Sequence, residues 1–92
     1  MTRDSRPRLA AKARLRVDRI THQRLLLSPE RGLLLNGTAG EIVQRCTGEQ
    51  TVAAIVDGLA NRYSGLSRDL IEHEVLIFLH ELVGLGVLSE RC

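Results

Sequence analysis

The sequence predicts an α+β domain: a three-stranded antiparallel sheet followed by three helices, in the outline of a winged helix-turn-helix. Three observations carry this. Leu15 and Val17 alternate with Arg14, Arg16 and Asp18, a period of two. Two leucine triplets, Leu25-Leu26-Leu27 and Leu33-Leu34-Leu35, flank the turn residues Ser28-Pro29-Glu30-Arg31-Gly32. After Asn36 the apolar spacing changes to three and four, the period of a helix.

The elements follow in order. Residues 1–13 carry Pro, Ser and charge without a period, and are expected to form a flexible basic arm. Residues 14–92 then make a single domain, because 92 residues leave no room for a second core. The first strand has one wet face. The leucine triplets supply the second and third strands, with Pro29 presetting φ and Gly32 allowing a positive φ in the turn. This hairpin holds more apolar surface than so small a sheet needs. It is either covered by the rest of the chain or left for something else to cover.

Thr38 and Glu41 have capping-box spacing, and Ala39, Ile42, Val43 and Cys46 form the stripe of a first helix that Gly48 ends. Thr51 caps a second helix with the stripe Val52, Ile55, Val56, Leu59 and Tyr63. Gly58 lies inside it at a cost of about 1 kcal/mol relative to Ala, and Gly65 breaks it. Ser67 caps a third helix, Asp69 suits its first turn, and Gly86 stops it after about Leu85. Val87 and Leu88 are expected to pack back on the body.

The third helix is apolar on too many sides. Ile71, Val75, Phe78, Leu79 and Leu82 form a core stripe, with Leu76 and Val83 on one flank and Leu70 and Ile77 on the other. Such a helix is buried on more than one side. Either the hairpin packs on it, or a groove between strand and helix takes another chain.

Composition narrows the function. Tyr63 and Phe78 are the only aromatic residues, so the core is aliphatic. No apolar run approaches the roughly 18 residues that span a bilayer, and the arginine-rich start lacks a secretory apolar region; a cytoplasmic protein that does not engage membranes is expected. Cys46 on an apolar face and Cys92 at the end read as a buried thiol and a frayed terminal one, with no disulfide framework. No Gly-rich phosphate loop is present. His73 and His80 share a helix face but stand about 10.5 Å apart along the axis, too far to share a metal ion. No catalytic residues, metal ligands or cofactor are expected.

Charge is uneven: eight basic residues face two acidic ones up to Arg24, and five face nine beyond it. A basic segment on an acidic body suits an acidic partner, or serves solubility alone. A winged-helix nucleic-acid-binding protein is the alternative reading. It is disfavoured because the third helix carries Asp69, Glu72, Glu74 and Glu81 against Arg68, and phosphates would repel it.

Leu26-Leu27-Ser28-Pro29-Glu30, Leu35-Asn36, Ala39, Ile42, Cys46-Thr47-Gly48, Thr51-Val52, Ile55-Val56, Leu59 and Tyr63 resemble the PqqD family of pyrroloquinoline quinone biosynthesis. Glu74-Val75, Phe78-Leu79, Leu82 and Gly86-Val87-Leu88 look like that family's ending, so the likeness covers residues 14–88. Thr47 and Glu74 depart from it, each standing where the family often has Asp. The resemblance implies a peptide chaperone, not an enzyme. It would bind a ribosomally made precursor peptide and present it to a radical S-adenosylmethionine enzyme that cross-links a Glu and a Tyr of the peptide. It further implies that the peptide adds as a strand beside the third strand, in a groove walled by the third helix. In this chain the edge would be Arg31, Gly32, Leu33, Leu34 and Leu35, and the wall Arg68, Leu70, Glu74 and Ile77. With no peptide bound, an open edge invites a homodimer, with strands exchanged between copies.

Overall fold

The computed structural model describes residues 1–29 and 31–89. In chain order the elements are β1 (Arg8–Leu9), β2 (Arg14–Val17), β3 (Arg24–Ser28), β4 (Arg31–Leu35), α1 (Gly37–Gln44), α2 (Val52–Arg62), α3 (Arg68–Gly84) and β5 (Leu88–Ser89). The predicted α+β order holds. β2, β3 and β4 form an antiparallel meander, and β1 pairs with β5 as a second, two-stranded sheet.

Ser28 pairs with Arg31, so the turn is shorter than predicted and Arg31 and Gly32 belong to β4. Gly32 does not adopt a positive φ. Its lack of a side chain instead lets Leu27 lean over it: a Cβ there would meet Leu27 Cδ2 at 3.2 Å.

Register phases the leucine triplets. Leu15, Leu26 and Leu33 form one row across the sheet, and Leu35 lies on the same face. Leu26 and Leu35 are buried, and Leu15 and Leu33 pack against the core. Leu25, Leu27 and Leu34 point the other way, beside Arg14 and Arg16.

Helix starts follow cap chemistry, with one correction. Thr51 Oγ1 accepts from the Ala54 N–H at 3.1 Å, and Ser67 Oγ from the Leu70 N–H at 3.1 Å. At α1 the cap is Asn36, whose Oδ1 accepts from the Ala39 N–H at 2.7 Å; Thr38 and Glu41 form no capping box. Asn ranks at least as high as Thr at this position, and the earlier residue wins. Gly86 takes a positive φ of 76° directly after the Leu85 cap of α3, whereas α1 ends earlier than predicted, at Arg45, and Gly48, at φ 86°, turns the chain after the Arg8–Thr47 bridge.

The basic segment 1–13, expected as a flexible arm, is folded onto the body. Val52 and Ala53 at the start of α2 donate their N–H groups to the carbonyls of Ser5 and Arg3, each at 2.9 Å. Together with the Thr51 side chain, this satisfies three of the donors that a helix start leaves open. Gly48 donates to Pro7 at 2.9 Å, Leu9 to Cys46 at 3.2 Å and Ala10 to Val87 at 3.0 Å. Ser5 and Pro7 are buried. The segment docks through its backbone, which a reading of its polar side chains does not reveal.

The core lies between α2, α3 and the inner face of the hairpin, with Ile55, Val56, Leu59, Val75 and Leu79 at 1 % exposure or less. Val87 and Leu88 close it, as predicted. Cys46 is buried, its Sγ donating to the Ile42 carbonyl at 3.2 Å; Cys92 lies outside the described residues. Leu70 and Ile77 of α3 stay 48 % and 43 % exposed. β3 and β4 rest chiefly on α1, which leaves this flank of α3 uncovered. Among the described residues no helix is long and apolar enough to cross a membrane.

Candidate functional site

The site begins at a sheet edge. The Asp18 N–H donates to the Gln23 carbonyl at 2.8 Å, which sets the phase of the ladder. Along an antiparallel strand the residues bond alternately to one side and the other. Leu25 and Leu27 therefore bond to β2, and Arg24, Leu26 and Ser28 to β4. On β4, Leu33 and Leu35 bond back to β3, while Gly32 and Leu34 direct N–H and C=O outward, where the sheet has no further strand.

The sheet's two edges differ. β2 is short and carries exposed Arg14 and Arg16, which is how an edge is kept from pairing. After Arg31, β4 reads Gly-Leu-Leu-Leu and has no such guard. The backbone of Arg31 belongs to this edge; its side chain lies outside the described set.

β4 runs directly into a cavity of about 410 Å³. Asn36 stands at its rim, followed by Thr38, Ala39 and Ile42 of α1, Tyr63 and Leu66 beyond α2, and Ile71, Glu74, Val75 and Phe78 of α3. Both aromatic residues of the chain line it. Thr38 Oγ1 donates to Tyr63 Oη at 3.5 Å, and the Asn36 side chain is held by its cap. Glu74 is exposed at the rim and is in no ion pair among the described residues. The result is an apolar slot with one carboxylate at its mouth.

Of the four wall residues named from the sequence, Glu74 alone lines this cavity. Leu70 lies on the adjoining exposed flank of α3. Ile77 borders a separate cavity of about 500 Å³ with Met1, His73, Leu76, His80 and Glu81. Arg68 turns toward α2, where its Nε and Nη2 reach Asp57 Oδ1 at 2.9 and 2.7 Å; that hydrogen bond raises its pKa. By spacing alone Tyr63 and Phe78 belong to core stripes and Thr38 to a cap. The usable signal was aromatic scarcity: a chain with two aromatic residues has few places to put them. Among the described residues no group of three or more His, Cys, Asp or Glu could hold a metal ion.

An open strand edge leading into an apolar slot is the equipment of a small α+β recognition domain. The chain belongs to the PqqD family: the family model described as Coenzyme PQQ synthesis protein D matches residues 23–88. It is 42% identical over 86 residues to a "PqqA binding protein" of Rhodopseudomonas palustris (strain TIE-1), covering 94% of this chain and 83% of that one. A protein of the same description from Bradyrhizobium diazoefficiens is 36% identical over 86 residues, covering 94% and 82%. Among solved structures, the fold matches the solution NMR structure of the PqqD truncation of Methylobacterium extorquens PqqCD, described as a functional, stand-alone RiPP recognition element. That match has a TM-score of 0.76 and 32% identity, covering 90% of this chain and 87% of the other.

Proposed function

We propose that this chain is a peptide chaperone of pyrroloquinoline quinone biosynthesis. It binds the ribosomal precursor peptide by strand addition to β4 and presents it, in the cytoplasm, to a radical S-adenosylmethionine enzyme. The chain itself performs no catalysis and needs no cofactor. One observation carries the reading: Gly32 and Leu34 offer two outward N–H and C=O pairs on an unguarded edge that leads into the cavity of Tyr63 and Phe78. Main-chain bonds supply affinity, and the slot reads side chains. The names of the relatives, proteins that bind PqqA, support the same ligand. Leu70 and Ile77 serve as an outer margin of the groove, beyond Glu74, while Arg68, paired with Asp57, holds the start of α3 to α2. When no peptide is bound, a second copy pairs on the same edge.

The test is a titration of isotope-labelled protein with precursor peptide. Amides of Gly32 and Leu34 shift, and emission from Tyr63, the only tyrosine in a chain without tryptophan, changes as the slot fills. Leu34→Pro removes one outward donor without touching a β3–β4 bond, and is expected to weaken peptide binding by roughly tenfold. A folded Leu34→Pro variant that binds peptide at full strength overturns the edge assignment. Duplex DNA, titrated in parallel, is expected to leave the same amides in place.

A further inference from the structure

The hairpin's outer face is unused by the fold and by the peptide site. In register, Arg16, Leu25 and Leu34 form one row across it, and Arg14, Leu27 and Gly32 the next. Leu25, Leu27 and Leu34 are outside the core and not packed against it. Leu34 is 62 % exposed. Leu27 and the flanks of Arg14, Leu15 and Arg16 border a shallow cavity of about 330 Å³. Arg14 and Arg16 are exposed, and neither is ion-paired among the described residues. The six positions of the two rows include no acid.

We propose that this face is a second docking surface, built for an apolar patch edged with carboxylates on a partner protein. The choice of partner rests on the peptide-chaperone reading: the occupant is the peptide-modifying enzyme. Charge complementarity points to carboxylates, because each unpaired guanidinium presents a planar fork of donors that fits one. A membrane is a poorer fit. Leu34 is the only leucine of the three that protrudes, and two arginines add little attraction to anionic lipid. Nucleic acid needs a larger count of phosphate contacts. The geometry separates the two functions. A peptide strand takes the edge through backbone groups, in the plane of the sheet. The partner takes the face through side chains, perpendicular to that plane. Both are engaged together, as presentation of a peptide requires.

The test uses the full chain and the cluster-loaded radical S-adenosylmethionine enzyme, at about 50 and about 300 mM salt. The double variant Arg14→Glu/Arg16→Glu is expected to weaken enzyme binding by at least about tenfold at low salt and to flatten its salt dependence, while peptide affinity stays within about twofold. Leu25→Ser is expected to weaken enzyme binding at both salt concentrations. If charge reversal perturbs folding, Arg14→Gln/Arg16→Gln reads the same contact, with an expected loss of roughly fivefold. Enzyme binding unchanged in the folded variants overturns the proposal. So does loss of binding to phosphatidylglycerol vesicles with enzyme binding intact, which would mark a lipid-binding face. A parent chain that binds enzyme through this face but fails to bind peptide overturns the strand-addition reading alone.

Discussion

Glu41 of α1 and Arg62 of α2 meet at 2.9 Å, Oε1 to Nε, with the carboxylate nearly buried and the guanidinium mostly in solvent. The second carboxylate oxygen, Oε2, is buried without a hydrogen-bond partner. The pair ties the end of α2 to α1 one residue before Tyr63, and so holds two walls of the slot together. Arg62→Met strands a buried charge. It is expected to destabilise the domain by about 1–2 kcal/mol in urea titration, less than a fully buried pair because Arg62 is exposed. Glu41→Gln in the same assay is expected to lose less.

Removing residues 1–7 is expected to lower the melting temperature by several degrees, because the Val52 and Ala53 N–H groups lose the Ser5 and Arg3 carbonyls. The change is read by calorimetry. Amide exchange at Val52 and Ala53 is expected to rise most.

Gly84 and Gly86 respond to alanine in opposite directions. Neither would meet an atom within 4 Å, so backbone conformation decides. Gly84 ends α3 in helical geometry, and Gly84→Ala is expected to gain up to about 0.5 kcal/mol. Gly86 has φ of 76°, and Gly86→Ala is expected to lose about 1 kcal/mol. Chemical denaturation of the two variants checks the sign.

Burial raises the Cys46 pKa from 9.0 to about 12. The folded state therefore holds the thiol proton after the unfolded chain has released it. The stability this confers is complete below about pH 9 and is lost as pH rises toward 12. Comparing Cys46→Ala with its parent, both in a Cys92→Ser background, is expected to show a shallower alkaline loss in the variant. At pH 8 the Cys46 thiol is expected to resist disulfide reagents until the protein unfolds.

Much of the fold was legible because local chemistry agreed with it. Thr51 and Ser67 stand before apolar helical stripes and cap them. Gly86 ends α3 at positive φ, whereas α1 ends at Arg45, three residues before Gly48. The triplets were not legible in detail: three identical leucines contain no period, and only pairing with β2 assigns Leu26 inward and Leu25 and Leu27 outward. Asn36 and Thr38 are both capping residues two positions apart, and spacing cannot choose between them. The docking of residues 1–13 depends on partners such as Ser89, which pairs with Arg8 from the far end of the chain. The surplus apolar surface of α3 was visible in the sequence. Which flank stayed open depended on the hairpin resting on α1, a tertiary choice. Tyr63 and Phe78 came together because α2 packs on α3, which is also tertiary.

The unequal edges of the sheet also set a stoichiometry. A meander open on both sides could add strands without limit and seed a fibre. With β2 guarded by Arg14 and Arg16, growth is one-sided, and under the proposed reading pairing with a second copy ends it, because each copy then shows only its guarded β2. Under that reading a peptide strand would make a four-stranded sheet, and a second copy would make a closed pair of meanders. Among the described strands of this meander β4 alone is left open, so the edge proposed for the ligand takes one occupant at a time.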